Sequence, residues 1–161
     1  GLELLLVNKK FPNVKTLEDV YDNKLTVVPF RTADAGINVI KTYNDNHPNK
    51  QIKIDTIDQF ENADGVKWVA EGRYDSWVIY ESIYNGFVNI PGAPLAGLKE
   101  NLIAVPFTAI ATWALFNRNE AELRDAYEKA LIDLKNEGKL SELSKQYLGT
   151  DVFRFEFVPL N

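Results

Sequence analysis

Apolar positions along the chain alternate between short runs that suit strands and the three-and-four spacing that suits helices. "ELLLVN" (residues 3–8) predicts a strand, followed by a loop at Pro12. Thr16 with Asp19 three residues on has capping-box spacing, so "TLEDVYD" predicts a short helix. "KLTVVPF" is rich in β-formers and predicts a strand ending near Phe30. Thr32 to Asp34 open a second helix, "ADAGINVIKTYN", with Ile37, Val39, Ile40 and Tyr43 on a buried face. "DNHPN" breaks it, and "QIKID" (51–55) alternates as a strand.

"NADGVKWVAEG" predicts a third helix with Val66, Val69 and Ala70 inward and Gly72 as its C-terminal glycine. "YDSWVIY" is the strand after it, "ESIYNGF" a short helix, "PGAPLAG" a loop, and "LIAVPF" and "ATWALFN" two further strands. Residues 120–137 form the longest predicted helix, with Leu123, Tyr127, Ala130, Leu131 and Leu134 spaced as a core stripe. A last helix, "LSELSKQYL", ends on Gly149, and the aromatic tail "DVFRFEF" suits an extended segment. Strands alternating with helices predict an α/β fold: a mostly parallel sheet flanked by helices, with further helices at the C-terminus.

Composition narrows the classes. A chain of 161 residues, 45% hydrophobic and 12% aromatic, can bury a core. Its apolar runs are far shorter than the ~20 residues of a membrane span. A net charge of −5 without a basic stripe argues against a nucleic-acid partner, because phosphates demand clustered Lys and Arg. The absence of cysteine excludes disulfides, thiolate catalysis and Cys-ligated zinc. The absence of methionine and the start at Gly1 point to a processed or artificial end, hence to a piece of a longer protein.

Candidate chemistry is sparse. His47 lies in a polar loop and reads as a solvated turn residue, and no phosphate-binding or nucleophile-elbow motif occurs. Asp55, Asp58, Glu61 and Asp64 cluster before a helix, without the spacing of an EF-hand, and read as acids drawn to a helix N-terminus; no metal and no cofactor is expected. Trp68, Trp77 and Trp113 are expected in the core. Ligands of open α/β sheets bind at the carboxyl ends of strands, which singles out two turns. In "PFRTAD" Thr32 is placed to cap the helix, the N–H groups of Ala33 and Asp34 form an anion cradle, and Arg31 is a free cation beside it. In the second turn Tyr80 stands at the strand end, with Glu81 next to it.

"GRYDSWVIYES" and, over a longer stretch, "LFNRNEAELRDAYEKALIDLKNEGKLSELSKQYLGTDVF" resemble the extracytoplasmic solute-binding proteins of polar amino-acid ABC transporters, bacterial family 3. The family's C-terminal pattern is matched by Glu122, Leu123, Ala130, Leu131, Leu134, Lys135, Gly138, Leu140, Lys145, Tyr147, Gly149, Asp151 and Val152. "KTLEDVYDNKLTVVPFRTAD" resembles the segment that enters the family's second lobe.

The resemblance implies one lobe of a type II periplasmic-binding-protein fold. Residues 1–15 would be a connecting strand, 16–105 the second α/β lobe, and 106–161 the segment that returns to a first lobe lying before Gly1. It implies non-catalytic capture of an amino acid or related polar solute by lobe closure, delivery to an ABC permease, and an extracytoplasmic location. The ligand-contacting positions would be Arg31, Thr32, Ala33, Asp34, Tyr80 and Glu81. Thr32 and the N–H groups after it would hold an anionic group, while Tyr80 or Glu81 would meet a cation. Two positions depart from the family: Arg31 replaces a glycine, and Tyr80 replaces the aspartate that receives the ligand's ammonium. A sensory module of the same fold, or a dehydratase-like enzyme with Glu81 as its acid, are the alternatives. Without the first lobe, the helices after Phe107 would expose apolar faces, leading either to a segment-exchanged homodimer or to marginal stability.

Overall fold

A polar end residue, Asn8, shows how the sheet is locked to its helices. The computed structural model describes residues 1–32, 34–110 and 112–155. Strand β1 (Leu2–Asn8) is buried from Glu3 onward, because neighbouring strands and helices cover both faces. Asn8 at its end donates from Nδ2 to the Val69 carbonyl at 2.6 Å and accepts from the Lys10 N–H at 3.0 Å. Asn8→Ala removes one of the two donors to that carbonyl, the other being the Gly72 N–H, and is expected to cost about 1 kcal/mol in urea denaturation.

Helix α1 (Leu17–Asp22) begins at the predicted capping box of Thr16 and Asp19, and Leu17 and Val20 are buried. Helix α2 (Ala35–Asn46) buries Gly36, Ile37 and Ile40 and lays Val39 and Tyr43 against the core. Helix α3 (Asn62–Ala70) turns Val66, Val69 and Ala70 inward, as the periodicity predicts, and ends at Gly72 with φ 76°. Glu61 and Asp64 form a reciprocal cap at its start, which accounts for two of the clustered acids. His47 caps α2, with Nδ1 2.8 Å from the Tyr43 carbonyl and its ring stacked on Tyr43.

Strand β2 (Ser76–Tyr80), helix α4 (Glu81–Val88), a 3-10 turn (Ala96–Asn101) and strand β3 (Leu102–Ala109) complete the lobe. The sheet order is β2-β1-β3, and β1 runs antiparallel to both neighbours. The expectation of a mostly parallel sheet is therefore corrected. The six-residue α1 rises only ~9 Å, against ~23 Å for β1, and is too short to carry the chain back for a parallel start. β2 and β3 run the same way, joined through α4, with β1 inserted between them.

The predicted strands at 24–30 and 51–55 reduce to two parallel bridges, Val27 with Ser76 and Phe30 with Thr56. Pro29 removes a ladder N–H from the first of them. These bridges extend the layer beyond β2, so Phe30 and Tyr80 lie at the carboxyl ends of neighbouring parallel segments.

After β3 the chain forms helices α5 (Ala121–Asn136) and α6 (Lys139–Leu148), which pack on each other, while α6 also touches α4. The strand expected at 111–117 does not form over residues 112–117. Its side chains include Trp113 at 39% and Leu115 at 95% exposure, so it has no buried face to fix it in register. Of the three tryptophans, Trp77 is buried, Trp68 is half-buried on Phe60, and Trp113 departs from the expected core placement. No residue of α5 is buried: its stripe leaves Leu123 56% and Tyr127 45% exposed. The last part of the predicted extended tail, from residue 156, lies outside the described residues.

Candidate functional site

The turn after Phe30 is closed on itself. The Arg31 N–H donates to Asp34 Oδ2 at 3.0 Å, and the Asp34 N–H donates to the Arg31 carbonyl at 2.9 Å. The Arg31 guanidinium meets Asp34 Oδ1 at 3.0 Å, donates to Asn62 Oδ1 at 2.9 Å, and lies over the Phe60 ring. It is therefore not the free cation expected from sequence: a carboxylate three residues on and a neighbouring helix both claim its donors. Asp34, not Thr32, is the N-cap residue of α2, and Thr32 is exposed. The Asp34 N–H is spent in the turn, which removes one of the two groups expected to cradle an anion. Ala33 lies outside the described residues.

At the end of β2, Tyr80 passes directly into α4 as its N-cap residue. Burial, with Glu3 beside it, holds the Tyr80 phenol above its ordinary pKa, so it stays neutral. Glu81, in the first turn of α4, faces the C-terminal segment. Its Oε2 accepts from Arg154 at 2.8 Å and from the Thr150 hydroxyl at 3.0 Å. Sequence offers this acid to a ligand; in the folded chain it pins the C-terminal segment to α4.

A small cleft of about 40 Å³ lies between the two turns, lined among others by Glu3, Arg31, Asp34, Asn62, Trp77 and Tyr80. Three of the residues singled out in the sequence, Arg31, Asp34 and Tyr80, thus converge, while Thr32 and Glu81 do not line it. A larger open groove of about 630 Å³ runs along the other flank of α2, past Glu18, Tyr43, His47 and Phe107. It is mostly apolar and reaches the end of β3 at Phe107 and Thr108.

Glu3 is the group that sequence reasoning missed. It sits opposite Tyr80 on β2 and Thr108 on β3, is 1% exposed, and its Oε2 has no hydrogen-bond partner. Burial raises its carboxyl pKa from 4.5 to about 7; the Asp34 carboxylate adds to this, and the Gly1 amino group opposes it. The available signal was one acid inside the otherwise apolar run from Leu2 to Val7, in a strand buried from Glu3 onward.

No family model matches the chain. The chain is 27% identical over 150 residues to the probable amino-acid-binding protein YxeM of Bacillus subtilis, covering 92% of this chain and 52% of that protein. Among solved structures, one from work on glutathione import via GshT and the cystine ABC importer TcyBC of Streptococcus mutans superposes with a TM-score of 0.70. It is 22% identical, covering 92% of this chain and 59% of that one. A substrate-binding protein of an ABC uptake transporter from Streptococcus pneumoniae, with bound histidine, superposes with a TM-score of 0.63 at 16% identity. There the match covers 95% of this chain and 59% of the other.

The chain spans about half the length of the curated relative and about three-fifths of the structural ones. These likenesses establish the fold as one α/β lobe of the periplasmic-binding-protein kind, helices flanking a small sheet, and they agree with the resemblance read from the sequence. The relatives are binding proteins. No helix among the described residues is long and apolar enough to cross a membrane.

Proposed function

We propose that this chain is the second lobe and C-terminal segment of the solute-binding component of an ABC importer for an amino acid or a related polar solute. The observation that carries this reading is the cleft at the carboxyl ends of neighbouring parallel segments, where Arg31, Asp34 and Tyr80 meet. The relatives' names, an amino-acid-binding protein and an uptake-transporter protein holding histidine, support the ligand class.

In this reading residues 1–15 connect the lobes, residues 16–105 form the lobe that holds half of the ligand, and residues 106–161 return toward a first lobe. β3 runs on to Ala109 and so leads directly from lobe to return segment. The uncovered stripe of α5 supports a missing cover, supplied by a first lobe or, in this piece alone, by segment exchange with a second copy. The protein acts outside the cytoplasm, hands its solute to a permease, and captures it without catalysis; Glu81, the acid of the dehydratase-like alternative, is held by Arg154.

Each charge-assisted contact to a zwitterion contributes about 1.5–3 kcal/mol, so a lobe with half of the contacts binds weakly by itself. Calorimetry with the twenty amino acids is expected to give no measurable heat with this chain and saturable binding of at least one amino acid with a two-lobed parent. Tight binding by this chain would refute the shared cleft, and silence from the two-lobed protein would refute the amino-acid reading.

A further inference from the structure

The two acids of the cleft differ in one respect. Asp34 is neutralised by Arg31 at 3.0 Å, whereas Glu3, 1% exposed, leaves Oε2 unpartnered. Among the residues that line the cleft, two acids thus face one cation, the Gly1 amino group acting on Glu3 from outside that lining. A buried carboxylate in that condition is costly, and a positive group placed against it relieves the cost. About 40 Å³ accepts one or two water-sized groups, which suits the tip of a ligand and not a whole amino acid. Tyr80 lies across the ladder from Glu3 and offers a ring face and a neutral hydroxyl to the same tip.

We propose that Glu3 is the receptor in this cleft for the ammonium or guanidinium end of the bound solute, in the role that a strand-end acid would otherwise fill at Tyr80. This rests on reading the cleft as the ligand site. The structure also makes the exchange proton-linked. With its pKa raised to about 7, Glu3 holds a proton through the mildly acidic range, and an arriving cation stabilises the carboxylate and sends that proton to solvent. The groups that face Glu3 are Asp34 and Arg31 from the turn before α2, Asn62 from α3, Tyr80 from β2, Thr108 from β3, Ile83 from α4 and the Gly1 amino group. Of these, only Asp34, Arg31 and the amino group carry charge at neutral pH.

The test follows the Glu3 carboxyl by carbon-13 NMR in this chain, in methylammonium chloride and in sodium chloride at equal ionic strength. The titration midpoint is expected to fall by about half a unit or more in methylammonium. Resonances of Tyr80 and Trp77 that respond to methylammonium are expected to stop responding in Glu3→Gln, with Glu3→Leu, equally without a carboxyl, as a second variant should the first not fold. An unchanged midpoint, or a response that survives Glu3→Gln, would overturn the proposal. In a two-lobed parent, affinity for histidine, or whichever amino acid calorimetry finds bound, is expected to rise about tenfold between about pH 5.5 and about pH 8, and to lose that rise in Glu3→Gln. If Glu3 answers methylammonium while the two-lobed protein binds no amino acid, the cation site stands and the importer reading falls. Equal amino-acid affinity with and without Glu3 leaves the importer reading and removes this one.

Discussion

Gly65→Val is expected to destabilise the fold by about 3 kcal/mol, the upper range for forcing a side chain into a filled core. Gly65 lies in α3 against the indole of Trp77 on β2, and a Cβ there would stand 2.7 Å from Cζ3 and 2.8 Å from Cη2. Those contacts are too short to keep, so either the ring or the helix must move. The ring cannot move easily: Trp77 is 3% exposed and packs against Phe60 at 5.8 Å between centroids. α3 must therefore retreat from the sheet, weakening the burial of Val66 and Val69 and shifting Asn62, which lines the cleft and holds Arg31. Gly65→Ala carries the same Cβ contact without valine's two methyl groups and regains about 1 kcal/mol of helix propensity, so its loss should be smaller than that of valine. Urea denaturation followed by circular dichroism checks both; a valine variant within about 0.5 kcal/mol of the parent chain would show that the helix is not seated on that ring.

Glu3→Gln is expected to leave stability unchanged near pH 4.5 and to raise it by about 2 kcal/mol near pH 8. The sign follows from where the proton sits. The folded chain keeps the Glu3 proton up to about pH 7, whereas an unfolded chain releases it near the ordinary value of 4.5. Between those values the native state binds more protons, so native stability falls as pH rises through that window. Glutamine keeps the shape without the charge and removes the fall.

The carboxyls of Glu18 and Asp19 titrate in the opposite sense, held low by Lys50 and by the Lys15 N–H with the Thr16 hydroxyl respectively, so their stabilisation is lost only as pH drops below the ordinary range. The difference between Glu3→Gln and the parent chain isolates the Glu3 effect from theirs. Thermal denaturation of both across that pH range gives the measurement. Parallel curves for the two would mean that Glu3 is solvated.

Much of the fold was legible because helices are local. The Thr16–Asp19 box, the inward trio Val66, Val69 and Ala70, and the terminal glycines Gly72 and Gly149 depend on residues within a turn or two of each other. Strand pairing is not local, and there the reading weakened. Nothing in "ELLLVN" states that β1 enters between β2 and β3 and opposes both. Nor does "KLTVVPF" reveal that it contacts its neighbours through single bridges.

The candidate site divided the same way. Position along the chain located both turns, and the cleft does lie between them. Which side chains enter it depended on competition among groups distant in sequence. Asn62, 31 residues along the chain, takes a donor of Arg31, and Arg154, 73 residues along from Glu81, draws that acid toward the C-terminal segment. Glu3 enters the cleft because β1 is central.

By itself, then, the amino-acid order determined where helices begin and end, which of their faces are apolar, and that the chain resembles part of a solute-binding protein. Those properties follow from backbone capping, side-chain periodicity and residue type, all set over a few neighbouring positions. Only the tertiary structure decided strand direction and the identity of the acid in the cleft. Each of these depends on what lies opposite in space, and an acid's burial and charge are properties of its surroundings.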